Sequence, residues 1–409
     1  MKALRGRLFA FAFADEFGPL YALYPVWFTD HGLTANEISW VFFVWAAVGL
    51  VAEVPSGAVA DRVDRRRLIA FSLALRAVGI SIWLLWPTLT GILLGASLWA
   101  IHSAFASGTW EALVHDQLSA RGDADGYGPV MARIGQASHA GVALGIVTAT
   151  VALHLGADIP TLGWVTVASH GVSTLLILSL PAVSHVPDEE PLTFANWRRT
   201  LADGLYEARH DPFHRRMIVL GSLLAGLFVL DEYQPLLAEA RGVGDAGIPM
   251  FVLAIWVGLL LGGEVAARRP QIASRRIGAA LAVAALVVVV ALLSGSALAL
   301  ALLGGAYAVQ NTCWIVADAR FQKCVRDEVR ATVSSVRAFF GTVVSMLVFA
   351  FIGVVAPGED PTGGLLPALG LLAITGVLVA RWLPNETSPA SGGSPRRKAH
   401  CPDSAINVA

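Results

Sequence analysis

Charge is what this sequence lacks first. Only 14% of its 409 residues are Asp, Glu, Lys or Arg, and 56% are hydrophobic; a soluble domain averages about 25% charged. The mean hydropathy is +0.64. A soluble chain of this length could not cover its core with so little charge, so lipid is expected to cover much of the outside. Lysine is nearly missing, at three of 29 basic residues, which reads as the coding bias of a GC-rich bacterial genome. The formal net charge of −1 leaves no basic surplus for nucleic acid. The three cysteines, Cys313, Cys324 and Cys401, show no metal-ligand spacing and no disulfide framework, so neither a metal nor a cofactor is expected. No G-x-x-x-x-G-K-[ST] phosphate loop occurs, so ATP does not drive this chain directly and an enzyme is not expected. The first apolar run has no small-residue cleavage site, which excludes reading it as a cleaved signal peptide.

Long apolar runs fill the space that charge leaves. A spanning helix needs roughly 20 mostly apolar residues, and twelve candidates can be drawn: 8–28, 37–60, 68–87, 91–116, 130–154, 161–182, 214–238, 248–267, 277–294, 297–319, 331–356 and 364–383. The fold class expected is therefore an all-α membrane protein of twelve transmembrane helices in two pseudo-symmetric six-helix bundles, residues 1–184 and 213–384. A polar cytoplasmic linker, 185–212, would join them. A Ser/Pro/Gly-rich, basic tail over 385–409 has the composition of a disordered segment. Lys and Arg crowd the termini and the even-numbered connections, whereas the odd-numbered connections hold only Arg241. By the positive-inside rule both termini are cytoplasmic, in a multi-pass protein of the cytoplasmic membrane.

Within the first run stands Asp15-Glu16-Phe17-Gly18-Pro19-Leu20, and within the seventh its echo, Asp231-Glu232-Tyr233-Gln234-Pro235-Leu236. Each follows a basic cluster, so the pair points to duplication. One Asp at a helix centre costs about 2.5–3.5 kcal/mol, and four lipid-exposed acids would cost on the order of 10 kcal/mol. They must meet water, a cation or a proton. Helical neighbours point about 100° apart, and the orientation expected puts Asp15 and Asp231 toward a cavity with Glu16 and Glu232 flanking a helix groove. The opposite assignment is nearly as good. Pro19 and Pro235 would free the carbonyls of residues 15 and 231. The structural alternative is that the acids pair with Arg76, or another buried cation, and only set helix packing.

Gly57-Ala58-Val59-Ala60-Asp61-Arg62-Val63-Asp64-Arg65-Arg66-Arg67 follows the second run. It resembles the G-x-x-x-D-R-x-G-R-[RK] signature of the major facilitator superfamily, with Asp64 in place of the usual glycine. Glu53-Val54-Pro55-Ser56, Ser107-Gly108-Thr109-Trp110-Glu111-Ala112 and Arg330-Ala331-Thr332-Val333-Ser334 are similar to the drug-exporter-like branch. The resemblance implies two halves related about the membrane normal, substrate at the midplane, and first and seventh helices facing across it. It also implies a gating loop of Gly57, Asp61, Arg62, Arg65 and Arg66 that engages Glu111 or Asp116. A solvated helix end is the plainer reading of those two acids, Asp116 above all.

Other polar groups lie within spans. Arg76 can partner an acid, bind an anionic substrate group, or form a packing ion pair. His102 and His139 can relay protons or simply make packing hydrogen bonds. Gln310, Asn311 and Trp314, with Trp110, Tyr21, Tyr24 and Tyr233, are candidates for a drug-like pocket, although a given Trp fits the interfacial belt as well. Gly135, Gly141 and Gly145 are small residues at helix-packing spacing.

The function expected is secondary active transport of a small molecule by alternating access, as a monomer, with proton-coupled export of amphipathic or drug-like compounds foremost. A buried carboxylate holds its proton more tightly than an exposed one, so such a group can load outside and unload inside. A proton-coupled importer of a small nutrient and a non-transporting membrane receptor are the alternatives.

Overall fold

The computed structural model describes residues 1–60, 62–183, 194–295, 298–325, 327–356, 358 and 360–385. Asp61, residues 185–193 of the expected linker and residues 386–409 of the tail expected to be disordered lie outside the described residues; Asn385, the first of that tail, accepts from the Ser274 amide at 2.8 Å. Every regular element among the described residues is helical. In chain order the α-helices are α1 Lys2–Glu16, α2 Tyr24–Asp30, α3 Ala35–Ala60, α4 Arg65–Leu85, α5 Leu89–Ala106, α6 Thr109–Ser119, α7 Tyr127–His154 and α8 Ile159–Leu178. They continue with α9 Phe194–His210, α10 Pro212–Gly226, α11 Gln234–Glu239, α12 Ile248–Arg268, α13 Ser274–Leu293, α14 Leu298–Cys324, α15 Asp327–Val355 and α16 Thr362–Trp382. Three short 3₁₀ segments cover Pro19–Ala22, Ala124–Gly126 and Leu227–Tyr233.

Eleven helical stretches among the described residues are long and apolar enough to cross a membrane. The first apolar run is not among them, because it is cut in two. α1 stops at Glu16, a 3₁₀ turn starts at Pro19, and α2 resumes at Tyr24. Proline supplies no amide hydrogen and its ring crowds the preceding turn, which ends α1 where the motif places it. The second copy of the motif interrupts its own run in the same way: α10 gives way to the 3₁₀ segment Leu227–Tyr233, and α11 starts one residue before Pro235. The fourth run also breaks, at Gly108, whose φ of 70° is left-handed and suits glycine.

Helix starts follow local chemistry. Thr34 and Glu37 form a reciprocal capping box at α3: Glu37 Oε2 accepts from Thr34 N at 2.9 Å, and Thr34 Oγ1 from Glu37 N at 3.3 Å. Asp64 caps α4, accepting from Arg66 N at 2.9 Å. Asp158 and Asp211 cap α8 and α10 ahead of Thr161 and Phe213, with proline at the first helical positions of both.

The chain divides into two compact units. One holds Met1–Arg198, Leu230–Trp256 and Ser345–Leu365; the other holds Arg199–Val229, Val257–Val344 and the described part of Leu366–Ala409. In the first unit, Leu4, Leu8, Phe11 and Ala12 make one buried stripe on α1 against Ile69 and Leu73 of α4, Val114 and Leu118 of α6, and Ile134 of α7. Two glycines let α7 touch the end of α1. A methyl added at Gly141 would lie 2.3 Å from the Phe13 carbonyl oxygen, and one at Gly145 would lie 3.1 Å from the Gly18 nitrogen. Gly135 has open space instead. Large apolar side chains such as Val51, Leu85, Leu155, Leu175 and Val354 are exposed, which suits a hydrocarbon solvent.

Candidate functional site

The helix break after Glu16 opens a cavity of about 210 Å³ within the first unit. Its walls are aromatic: Tyr21, Tyr24, Phe28, Phe42, Trp45, Trp83, Trp99 and Trp256 all line it. Its polar groups are Glu16, Arg76, Asp231 and Glu232. Both acidic motifs thus contribute to one space.

The four acids divide differently from the expected orientation. Asp15 does not line the cavity; its Oδ1 lies 3.3 Å from Nη1 of Arg76. Glu16, the next residue on the helix, lines the cavity in its place. The turn between neighbours aims Asp15 at α4 and leaves Glu16 facing inward. In the second motif both Asp231 and Glu232, carried on the 3₁₀ segment, line the cavity. Glu232 accepts a hydrogen bond from the Tyr24 hydroxyl.

Arg76 is buried and heavily engaged. Besides Asp15, its guanidinium carbon lies 4.9 Å from the Tyr21 ring centroid and 4.8 Å from that of Trp99. Both are cation–π distances. His102 sits behind it, with Nε2 3.5 Å from Arg76 Nη1 and Nδ1 3.1 Å from Ser72 Oγ. It does not line the cavity. His139 is exposed on α7, with its ring edge-on to Trp256 at 6.1 Å. His170, which sequence reasoning passed over, is buried, and its Nε2 lies 3.0 Å from the Tyr21 hydroxyl. A histidine inside the sixth run carried the same signal as the two that were singled out.

Phe42, a wall residue, belongs to a layered contact. Phe42 meets Tyr233 edge-on at 5.7 Å and Phe349 at 5.4 Å. The Tyr233 hydroxyl donates to Ser39 Oγ at 2.9 Å. Farther along α2, Thr29 Oγ1 donates to Glu239, 2.8 Å from Oε2. The Ala35 amide donates to the Gly358 carbonyl at 2.9 Å.

Three expected pocket residues lie in the other unit and line none of this cavity. Gln310 Nε2 donates to the Leu224 carbonyl at 3.1 Å, and Asn311 Nδ2 to the Leu259 carbonyl at 2.7 Å. Trp314 stacks under Arg337, whose guanidinium carbon is 5.0 Å from the ring centroid. Their polarity goes to backbone carbonyls and a cation of neighbouring helices. Conversely, Trp45, Trp83, Trp99 and Trp256 were not singled out as pocket residues. Trp45, Trp99 and Trp256 stand well inside their spans, away from the ends where belt residues gather.

Around the basic loop, Asp116 of α6 forms an ion pair with Arg65 at the start of α4. Arg66 donates to the Leu180 carbonyl at 2.5 Å and pairs with Asp64 at 2.5 Å. Those Arg66 contacts hold the Asp64 carboxyl below its ordinary value of 3.8. Gly57 is half-buried in α3, Arg62 is exposed in the turn, and Glu111 is exposed on α6, outside the Arg65–Asp116 pair. Asp61 lies outside the described residues.

An aromatic-walled cavity that holds four charged side chains, in a chain of membrane-length helices, fits a multi-pass membrane protein. The sequence matches the Major Facilitator Superfamily over residues 8–350, and the chain belongs to that family. It is a transporter and not an enzyme. No curated protein matches it significantly. Solved structures share the fold. A point-mutant form of the nucleoside transporter NupG superposes with a TM-score of 0.71 at 14% identity, over 92% of this chain and 98% of that one. The POT family transporter PepTSo gives 0.69 at 11%, over 93% and 98%. A D-xylose-proton symporter gives 0.64 at 14%, over 93% and 96%.

Proposed function

We propose that this chain is a proton-coupled secondary transporter that exports small amphipathic compounds across the cytoplasmic membrane by alternating access. The observation that carries the reading is the placement of Glu16, Asp231 and Glu232 in one aromatic-walled cavity. A carboxylate there can exchange a proton for substrate, while the rings bind apolar surface. The interrupted first run counts as a twelfth span, so the protein comprises two six-helix halves, 1–184 and 213–384, working as a monomer with both termini in the cytoplasm. Since basic residues avoid the odd-numbered connections, the end of the first unit that holds the Thr29–Glu239 contact is the outer one. The Arg65–Asp116 pair, with Arg62 beside it in sequence, forms the cytoplasmic gate.

Import is the second reading. The aromatic walls would also stack a sugar or a nucleoside, the substrates named for two of the similar folds. Expression in an efflux-deficient host, followed by a screen of toxic compounds, separates the two. Reduced accumulation of a toxic amphipath that requires the proton gradient supports export. Enhanced uptake of a nutrient with unchanged efflux overturns it.

A further inference from the structure

The cavity holds more negative than positive groups, and its one cation is already committed. Arg76 pairs with Asp15 at 3.3 Å and lies over the rings of Tyr21 and Trp99. Facing the same space are Glu16, Asp231 and Glu232. Glu232 takes a hydrogen bond from the Tyr24 hydroxyl, which brings it no cation. Glu16 and Asp231 are half-buried and form no ion pair within 4 Å among the described residues; Asp231 accepts only from the backbone amides of Asp231 and Glu232. An anion entering this cavity would meet like charge with no free cation to receive it. A cation would meet carboxylates and ring faces together, and a desolvated ring face attracts a cation.

Building on the carrier reading above, we propose that the cavity selects an organic cation. The substrate carries an ammonium-type head on the side of Glu16 and Asp231 and a flat apolar body against Trp45, Trp83 and Trp256. Arg76 serves as a positioning residue that keeps Asp15 out of this exchange. A substrate with a permanent charge cannot shed it on binding, so the carboxylates must be free of protons to receive it. Proton and substrate then compete for the same groups.

Three small ligands with one benzene ring and a tetrahedral head isolate the charge. Phenyltrimethylammonium is cationic, benzenesulfonamide neutral and benzenesulfonate anionic. Isothermal titration of the purified full-length chain at neutral pH is expected to show the cation binding about tenfold or more tightly than the neutral ligand, with no measurable binding of the anion. Glu16→Gln and Asp231→Asn are each expected to reduce the preference for the cation over the neutral ligand by about fivefold or more. Because that ratio is internal to each variant, a loss of fold that removed both affinities would not imitate it. For a variant too unstable to titrate, the same ratio read on wild type at acidic pH, where carboxylates take up protons, must fall. Equal affinity for the three ligands, absence of cation binding, or an unchanged ratio in both variants overturns the proposal. Binding is measured without transport. A flat ratio beside proton-driven efflux therefore sinks this inference alone, and an intact ratio without proton-driven efflux sinks only the coupled-export reading.

Discussion

The Tyr24 hydroxyl donates to the carboxylate of Glu232, across 208 residues of sequence. One partner stands just past the first helix break and the other inside the second, so the two copies of the acidic motif are joined by a hydrogen bond as well as by a shared cavity. Removing the donor leaves a half-buried carboxylate short of a partner, and a bond to such a group contributes about 1.5–3 kcal/mol. Tyr24→Phe, which keeps the ring, is expected to lower the melting midpoint in detergent and to slow transport. An unchanged midpoint and rate would show that this bond contributes nothing.

The Arg76–Asp15 pair offers a sharper test of packing. Breaking a buried pair by removing one partner costs about 3–5 kcal/mol, because the other charge is left uncompensated. Arg76→Gln alone is therefore expected to destabilise strongly, and the Asp15→Asn/Arg76→Gln double variant to recover much of the loss. Unfolding of the singles and the double in a mutant cycle reads the coupling. Purely additive effects would rule out the pair as a unit.

Glycine positions on α7 should behave unequally. Gly141→Ala places a methyl 2.3 Å from a backbone oxygen of α1, and the helices must part at a cost of about 1–3 kcal/mol. Gly135→Ala meets nothing within 4 Å and should be neutral or stabilising by up to about 1 kcal/mol. Thermal midpoints of the two variants decide this; equal effects would contradict the close approach.

Much of this was legible in the residues themselves. Apolar run length marked the helices; the prolines after each acidic pair pointed to one freed carbonyl each, and not to the break that each run makes there. The basic loop resembled the family that the comparison then established. The side on which each acid falls was not legible. A one-residue step on a helix swings a side chain about 100°, and whether α1 ended before or after Glu16 decided between Asp15 and Glu16. Gln310 and Asn311 misled for a related reason. An intramembrane amide can serve a substrate or a neighbouring carbonyl, and only the packing of α14 against its neighbours shows that carbonyls take both. Trp99 went the other way: its indole resembles a belt residue in composition but lies beneath Arg76.

Asp64 stands where the family signature has glycine, and it caps α4 while Arg66 holds its carboxyl below 3.8. A group whose folded value is depressed stabilises the protein above its unfolded value, and that stability is lost as pH falls through the folded value. Asp64 is 31% exposed, so the effect is modest, about 1 kcal/mol or less. Wild type should melt above Asp64→Asn near pH 6, and the gap should close as pH drops below about 4. A gap that persists in acid would assign it to packing in place of charge.

The central claim is that the cavity carboxylates couple proton movement to transport. Its most direct test is substrate flux in proteoliposomes under an imposed pH gradient, using a compound found by the accumulation screen, for wild type and for the Glu16→Gln/Asp231→Asn double variant. The account predicts gradient-driven flux in wild type, and in the variant only downhill exchange that ignores the gradient. Gradient-driven flux that survives in the double variant, in protein that still binds the compound, would contradict it.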